Sequence, residues 1–226
     1  GTSSVWLTDD AGDSYERAYC RTLEGAGAEF TKVGLSQEDV EVIYLAGMEG
    51  GHSVIWLSTD NGQSFGDRHS VKGDAVIADW VITDDDTIYA ATHKGFYNTT
   101  NGGRTWEITS TPKDLNSMAL SPSFDSDELI LIGTDTGEVW MSDDAGGGFE
   151  NTGADLKDEV FIAFDAEFDD NDLIYAADQD NPIQVGEVAD IDDVDWEDLE
   201  DDKYEDSYTP DGCSGIAVSS DNVLYA

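Results

Sequence analysis

Basic residues are scarce in this chain. Ten Lys and Arg stand against 51 Asp and Glu in 226 residues, a formal net charge of −41. Nucleic-acid binding is excluded on that ground, because neutralising phosphates requires a basic surface. Charge-driven attachment to anionic membranes is disfavoured for the same reason. No apolar run approaches the length of a membrane span. No signal-peptide pattern opens the sequence, a condition that a processed secreted protein shares. The histidines are three, His52, His69 and His93, with no ligand spacing between them. No Ser-His-Asp or Cys-His signature is present. Two cysteines, Cys20 and Cys213, permit one disulfide at most.

The acids themselves are unevenly placed. Residues 1–113 hold 18 acids and 8 bases, whereas residues 114–226 hold 33 acids and 2 bases, Lys157 and Lys203. Glu187 to Asp206 is the densest stretch, with 12 acids in 20 residues. It reads as a solvated loop or outer strand that keeps the protein soluble, or as a surface for divalent cations or a basic partner. Asp outnumbers Glu by 35 to 16 with only six Lys. That balance suits a salt-adapted organism, although the uneven distribution argues against adaptation as the sole cause.

Against these absences stands one turn motif in four copies. They are Thr8 to Tyr15, Ser58 to Phe65, Thr99 to Trp106 and Ser142 to Phe149, starting 50, 41 and 43 residues apart. The shared pattern is hydroxyl-x-Asp/Asn-x-Gly-x-x-aromatic, with Asp10, Asp60, Asn101 and Asp144 at the third position and Gly12, Gly62, Gly103 and Gly146 at the fifth. An Asp or Asn side chain can bond its own backbone two residues on, and Gly supplies the positive φ that other residues resist. Two residues before each copy lies another aromatic, Trp6, Trp56, Tyr97 or Trp140, inside an apolar run that reads as a strand.

Two more strands precede each turn. One ends in small residues, as in Val42 to Gly47, Thr87 to Ala91, Leu129 to Gly133 and Leu173 to Ala177. The other sets a small residue among larger apolar ones: Val33-Gly34-Leu35, Ile77-Ala78, Met118-Ala119-Leu120, Ile162-Ala163-Phe164 and Ile216-Ala217-Val218. Small residues fit where innermost strands crowd a central axis. Four short strands about every 40 residues predict an all-β propeller of four-stranded antiparallel blades. The expected blades lie at about 28–70, 74–111, 114–152 and 158–200 in a single domain spanning 1–226, with half-blades at 1–23 and 213–226. About five blades result, the terminal one split between the two ends. The fifth unit has no box, and Trp196 is expected where the box aromatic belongs.

These turns resemble the Asp-box (BNR) repeats of β-propellers in sialidases, sortilin-type receptors, photosystem assembly factors and xyloglucan-degrading enzymes. The resemblance covers nearly the whole chain. In that family the box is a structural turn far from the ligand face, so the resemblance speaks to fold more than to activity. Because the sequence opens in a third strand and stops in a second, three completions are expected for the split blade. The ends pair within one molecule, further blades belong to a longer protein, or half-blades pair between neighbouring subunits. If the ends close one blade, Cys20 and Cys213 stand on strands about 14 Å apart from three strand spacings, beyond disulfide reach. Free or intermolecularly paired thiols therefore remain open beside a loop-assisted disulfide.

The candidate chemistry is limited. Sialidases bind a substrate carboxylate with three arginines, but Arg17, Arg21, Arg68 and Arg104 are the only ones here and none is expected on an innermost strand. A glycosidase needs two carboxylates at a defined separation. Asp79 and Asp165 are the candidates, because they lie on or beside innermost strands. Asp79 is read at the position of Leu120, Phe164 and Val218, with Trp80 available to stack on a sugar ring. A satisfied carboxylate and a packing Trp are the competing reading. Asp190, Asp192, Asp193 and Asp195 are weak calcium candidates outside any EF-hand pattern. Asn98-Thr99-Thr100 is an N-glycosylation sequon expected at an exposed turn.

The resemblance and the missing arginines together imply a non-catalytic propeller outside the cell, a scaffold or protein-recognition module, with self-association through its half-blades one of the three completions. It needs no cofactor, and its partners are proteins or further copies of itself. The alternative is a polysaccharide-active hydrolase or glycan-binding propeller.

Overall fold

A computed structural model describes residues 4–8, 10–18, 27–180, 183–199 and 213–226. Cys20, Arg21 and Lys203 lie outside the described residues. Four sheets each run as an antiparallel meander of four strands. The first is β3 (Glu29–Leu35), β4 (Ile43–Glu49), β5 (His52–Ser58) and β6 (Asp67–Ser70). The second is β7 (Ile77–Ile82), β8 (Thr87–Thr92), β9 (Gly95–Thr100) and β10 (Glu107–Thr109). The third is β11 (Leu115–Leu120), β12 (Ile130–Thr134), β13 (Val139–Ser142) and β14 (Glu150–Asn151). The fourth is β15 (Phe161–Phe164), β16 (Leu173–Ala177), β17 (Gln184–Asp190) and β18 (Asp193–Asp198). Two-stranded sheets precede and follow them: β1 (Trp6–Leu7) with β2 (Glu16–Arg17), and β19 (Ala217–Val218) with β20 (Leu224–Tyr225).

The chain forms two compact units, residues 1–90 with 97–108 and residues 91–96 with 109–226. In the first, Tyr44, Ile55, Ile88 and Ala90 are fully buried among Trp80, Ile82 and Trp106. A second cluster seats Trp56 and Phe65 beside Ile43 and Val54, with Phe30 edge-on to Trp56 at 5.2 Å. In the other unit, Leu131, Val139, Met141, Ile174 and Ala176 form the core with Phe164 and Phe168. The second strands are buried nearly throughout because both faces are covered.

Every passage from first to second strand closes with one hydrogen bond. The backbone N–H of Ser36, Thr83, Ser121, Asp165 and Ser219 donates to the carbonyl of Val42, Thr87, Leu129, Leu173 and Val223, at 2.9–3.2 Å. These residues fix the register between repeats. In the third and fourth sheets the loop between them holds a single helical turn, α1 (Phe124–Asp127) and α2 (Phe168–Asn171), closed by a left-handed Glu128 or Asp172.

This register corrects the sequence reading of the second sheet. Thr83 aligns with Asp165, so Trp80-Val81-Ile82 is the equivalent of Ile162-Ala163-Phe164, not Ile77-Ala78. Asp79 therefore matches Phe161 and Lys32, three residues from the position expected for it. The pair Ile77-Ala78 mimicked the pattern because it starts the same strand.

Candidate functional site

The four boxes are hydrogen-bonded turns turned inward on themselves. The hydroxyls of Thr8, Ser58, Thr99 and Ser142 donate to the side-chain oxygen of Asp10, Asp60, Asn101 and Asp144 at 2.8, 2.7, 3.0 and 2.8 Å. The same hydroxyls accept the backbone N–H of Gly12, Gly62, Gly103 and Gly146 at 2.9–3.0 Å. The Asp or Asn oxygen accepts the N–H four residues on, from Ser14, Ser64, Thr105 and Gly148, at 2.8–2.9 Å. The expected bond two residues on is thus replaced by a longer reach, because two consecutive left-handed residues curl the turn. Ala11, Asn61 and Ala145 have φ near +55° just before the glycine.

Three of the four boxes are also fastened outward. The N–H of Asn61, Gly102 and Ala145 donates to the carbonyl of Glu41, Asp86 and Glu128 in its own first-to-second loop, at 3.0, 2.8 and 3.1 Å. The box glycine meets the third strand of the preceding sheet: a Cβ on Gly62, Gly103 or Gly146 would run into Leu7, Ile55 or Phe96. Box side chains are therefore occupied by the fold.

The box carboxyls sit low. Bonds from the Ser14 side chain and backbone hold Asp10 at about 2. Ser64 lowers Asp60 likewise, and the Gly148 N–H lowers Asp144. A depressed carboxyl contributes stability above its unfolded value of about 3.9 and loses it as the pH falls through its folded value. Acidification from neutrality also relieves the self-repulsion of a chain at −41. Tm is expected to rise from pH 7 to about 5 and to fall below about 4, read by thermal melts across pH. A Tm still climbing at pH 3 would show that the boxes hold nothing.

The fourth sheet has no box, and the described part of the acidic stretch, residues 187–199, lies largely in its outer hairpin. Val188 N–H reaches the Asp172 carbonyl at 2.9 Å, the bond that box residues make elsewhere. Trp196 lies within β18 opposite Gly186, inside the strand rather than before it as box aromatics are. Its indole N–H donates to the Thr152 carbonyl at 3.0 Å. Asp190 and Asp193 pair across the hairpin, and Asp195 stands opposite Glu187. No group of three or more His, Cys, Asp or Glu among the described residues is placed to hold a metal ion.

The remaining candidates disperse. Arg17 and Arg68 lie on the fourth strands β2 and β6, with Arg68 Nε 2.5 Å from Glu49. Arg104 stays in its box and donates to the Asn101 carbonyl at 3.0 Å. His52 starts β5 with Nδ1 3.1 Å from Asp74, His69 lies on β6, and His93 sits between β8 and β9. Asn98 is half-buried within β9, not at an exposed turn. Cys213 is a buried free thiol packed on Ala177 and Ile183, and burial pushes its pKa up.

Two clefts lie along first strands. In the first unit, β3 and β7 border a cleft of about 380 Å³ containing Lys32, Val33, Leu35, Asp79 and Trp80. Lys32 Nζ is 3.3 Å from Asp79 Oδ1. That pair went unseen in the sequence because the two residues become equivalent only after the register is corrected. Among the described residues, Asp79 is the only carboxylate lining this cleft. The other unit carries a cleft of about 410 Å³ among Leu120, Pro122, Phe164 and Val218.

Asp165 is buried at the head of α2. It accepts hydrogen bonds from the Glu167 N–H, Asn171 Nδ2 and Tyr175 Oη at 2.9, 2.9 and 2.8 Å. Burial pushes the carboxyl up, but these bonds and one from Asn222 outweigh it and hold it below the ordinary range. A glycosidase acid needs the opposite shift.

Comparisons with known proteins agree with this architecture. The Sortilin-Vps10 family model, described as "Sortilin, neurotensin receptor 3", matches residues 53–221. No curated protein matches the chain. Among solved structures it is similar to the Niastella koreensis GH74 enzyme, with TM-score 0.66 and 16% identity over 88% of this chain and 34% of that one. It is also similar to YCF48 from Cyanidioschyzon merolae, with TM-score 0.53 and 12% identity over 84% of this chain and 60% of that one. A further structure is YCF48 bound to D1 peptide. The extracellular domain of BT4673 from B. thetaiotaomicron gives TM-score 0.60 and 16% identity, over 87% and 25% of the two chains. At such identities the likeness shows the fold, an all-β propeller of four-stranded blades. The chain spans about a third of the GH74 enzyme and three fifths of YCF48.

Proposed function

From a chain that belongs to the Sortilin-Vps10 family, we propose a non-catalytic β-propeller that acts outside the cell as a scaffold and protein-recognition module. The observation that carries this reading is the state of its carboxylates. Box acids are tied into turns, Asp165 is surrounded by donors, and Asp79 faces Lys32 with no second carboxylate beside it. No pair remains that could flank a scissile bond in the described clefts. A structural neighbour solved with a bound peptide supports peptide recognition, and an extracellular-domain neighbour supports the location. The reading includes self-association.

The GH74 likeness favours a second reading, a polysaccharide-active propeller. One experiment separates them. The wild-type protein and Asp79→Asn are incubated with a panel of soluble glycans, and reducing ends are measured. No release is expected from either. Release by the wild type that drops at least tenfold in Asp79→Asn would overturn the non-catalytic reading. Binding is read separately, by titrating an immobilised peptide library with the wild-type protein.

A further inference from the structure

Asparagine followed by glycine is chemically labile, because glycine has no Cβ to shield its own backbone nitrogen. The sequence contains two such pairs, Asn61-Gly62 in the second box and Asn101-Gly102 in the third. Their nucleophiles start alike. The Gly62 N–H donates to Ser58 Oγ at 2.9 Å, and the Gly102 N–H donates to the Asp86 carbonyl at 2.8 Å. Both glycines are buried, so attack at either pair waits for a brief local opening of its turn.

The side-chain amides differ. Asn101 occupies the third box position, and three hydrogen bonds hold its amide. Its Oδ1 accepts the Thr99 hydroxyl at 3.0 Å and the Thr105 N–H at 2.9 Å, while Nδ2 donates to Thr105 Oγ1 at 2.7 Å. Asn61 occupies the fourth position, where the turn uses the backbone: its N–H donates to the Glu41 carbonyl at 3.0 Å. Its side chain is exposed, and among the described residues no group holds its amide. Ala11 and Ala145 fill this position in the first and fourth boxes with φ of 56° and 53°, against 56° for Asn61. The turn therefore forms without an amide here, and nothing in it fixes the Asn61 rotamer.

We infer that Asn61-Gly62 is a site of spontaneous deamidation in the folded protein, with water as the only co-reactant. The Gly62 nitrogen gives up its proton to solvent and bonds to Asn61 Cγ. The Cγ–Nδ2 bond breaks, and that nitrogen takes up a proton and leaves as ammonia. Water then opens the five-membered imide. Cleavage of the bond from Gly62 N to Cγ gives aspartate, and cleavage of the bond to the Asn61 main-chain carbonyl carbon gives isoaspartate. Either way an amide and a water become a carboxyl group and ammonia. An intramolecular step of this kind needs its two atoms aligned, which an unheld amide reaches and a held one does not. Aspartate leaves the turn intact and adds one negative charge. Isoaspartate lengthens the main chain by one carbon ahead of Gly62, whose added Cβ would already stand 2.9 Å from Leu7 and 3.3 Å from Ile43. The second box thus ages, while the third is protected by the bonds that build it. This chemistry is independent of the proposed recognition function.

The test follows the folded full chain at physiological temperature in mildly alkaline buffer, with peptide mass mapping to read amide-to-acid conversion at each pair. Labelling by an isoaspartyl methyltransferase, read peptide by peptide, gives the isoaspartate fraction. Conversion is expected at least about tenfold faster at Asn61 than at Asn101, as release of the Asn101 hydrogen bonds requires. In urea the two rates should become similar, because both pairs then sit in unfolded chain. Thr105→Ala removes one hold and should speed conversion at Asn101 while leaving Asn61 unchanged. Asn61→Ala, which copies Ala11 and Ala145, should melt as the wild type does and abolish labelling of the peptide spanning the second box. Circular dichroism confirms that each variant is folded. Asn101 converting as fast as Asn61 in the folded protein would overturn the inference. So would no conversion at either pair while the urea-unfolded chain converts. A rate at Asn101 unmoved by Thr105→Ala would overturn the protective role of its hydrogen bonds.

Discussion

Replacing Gly146 with alanine is expected to destabilise the protein by roughly 2–5 kcal/mol. Gly146 has φ +88°, and a Cβ there would stand 2.3 Å from Phe96 Cε1. Holding alanine in a left-handed conformation costs about 1–2 kcal/mol. Forcing a methyl group into packed atoms costs about 1–3 more. The ring has little room to yield, because Phe96 is fully buried and lies 5.0 Å from the Phe149 ring. For a chain of this size each kcal/mol lowers Tm by about 2–4 °C, so a drop of roughly 4–20 °C is expected by circular dichroism. Gly153→Ala is the control. Gly153 also has positive φ, +80°, but nothing lies within 4 Å of its added Cβ. Equal losses in the two variants would mean that the box glycine is conformational only and does not seat against the neighbouring blade.

The second large effect is expected at Asp165. Asp165→Ala removes the acceptor for the Glu167 N–H, the Asn171 amide and the Tyr175 hydroxyl at once. Each orphaned donor is only partly buried and costs toward the low end of about 1–3 kcal/mol, so a loss of about 3 kcal/mol is expected. Asp165→Asn keeps an acceptor oxygen and should lose about 1 kcal/mol. Because the native carboxyl is held low, its contribution is intact above about pH 4 and disappears as the pH falls further. The gap between wild type and Asp165→Ala should therefore narrow below pH 4, as measured by urea unfolding. A gap unchanged at pH 3 would mean that the ionised carboxylate is not what organises the loop.

Much of this architecture was legible before any coordinates. The box pattern locates each third-to-fourth strand turn because its hydroxyl, carboxyl and glycine perform one local task, which spacing alone reveals. In the third sheet, which runs from Leu115 to Asn151, the box lies between the third and fourth strands. The second sheet misled the reading because Ile77-Ala78 imitates a small-among-large triplet, and only a main-chain bond from Thr83 shows the true alignment. Main-chain bonds leave no trace in side-chain identity. The Lys32–Asp79 pair was hidden for the same reason, since 47 residues separate its members. Asn98 was misplaced because a sequon beside a turn motif looks exposed, whereas the strand before the turn extends through it.

The partner that three of the boxes take in their own blade is a carbonyl, and the residues supplying it are Glu41, Asp86, Glu128 and, for the unboxed sheet, Asp172. All four side chains are exposed acids. Apart from the long approach of Asp86 to Arg104 at 3.9 Å, the repeat asks nothing of them. Charge and fold are thus written in separate parts of the same residues: the backbone closes the blade while the side chain is free to answer the surrounding medium. A propeller built this way can drift far toward acidity, position by position, without passing through a misfolded ancestor.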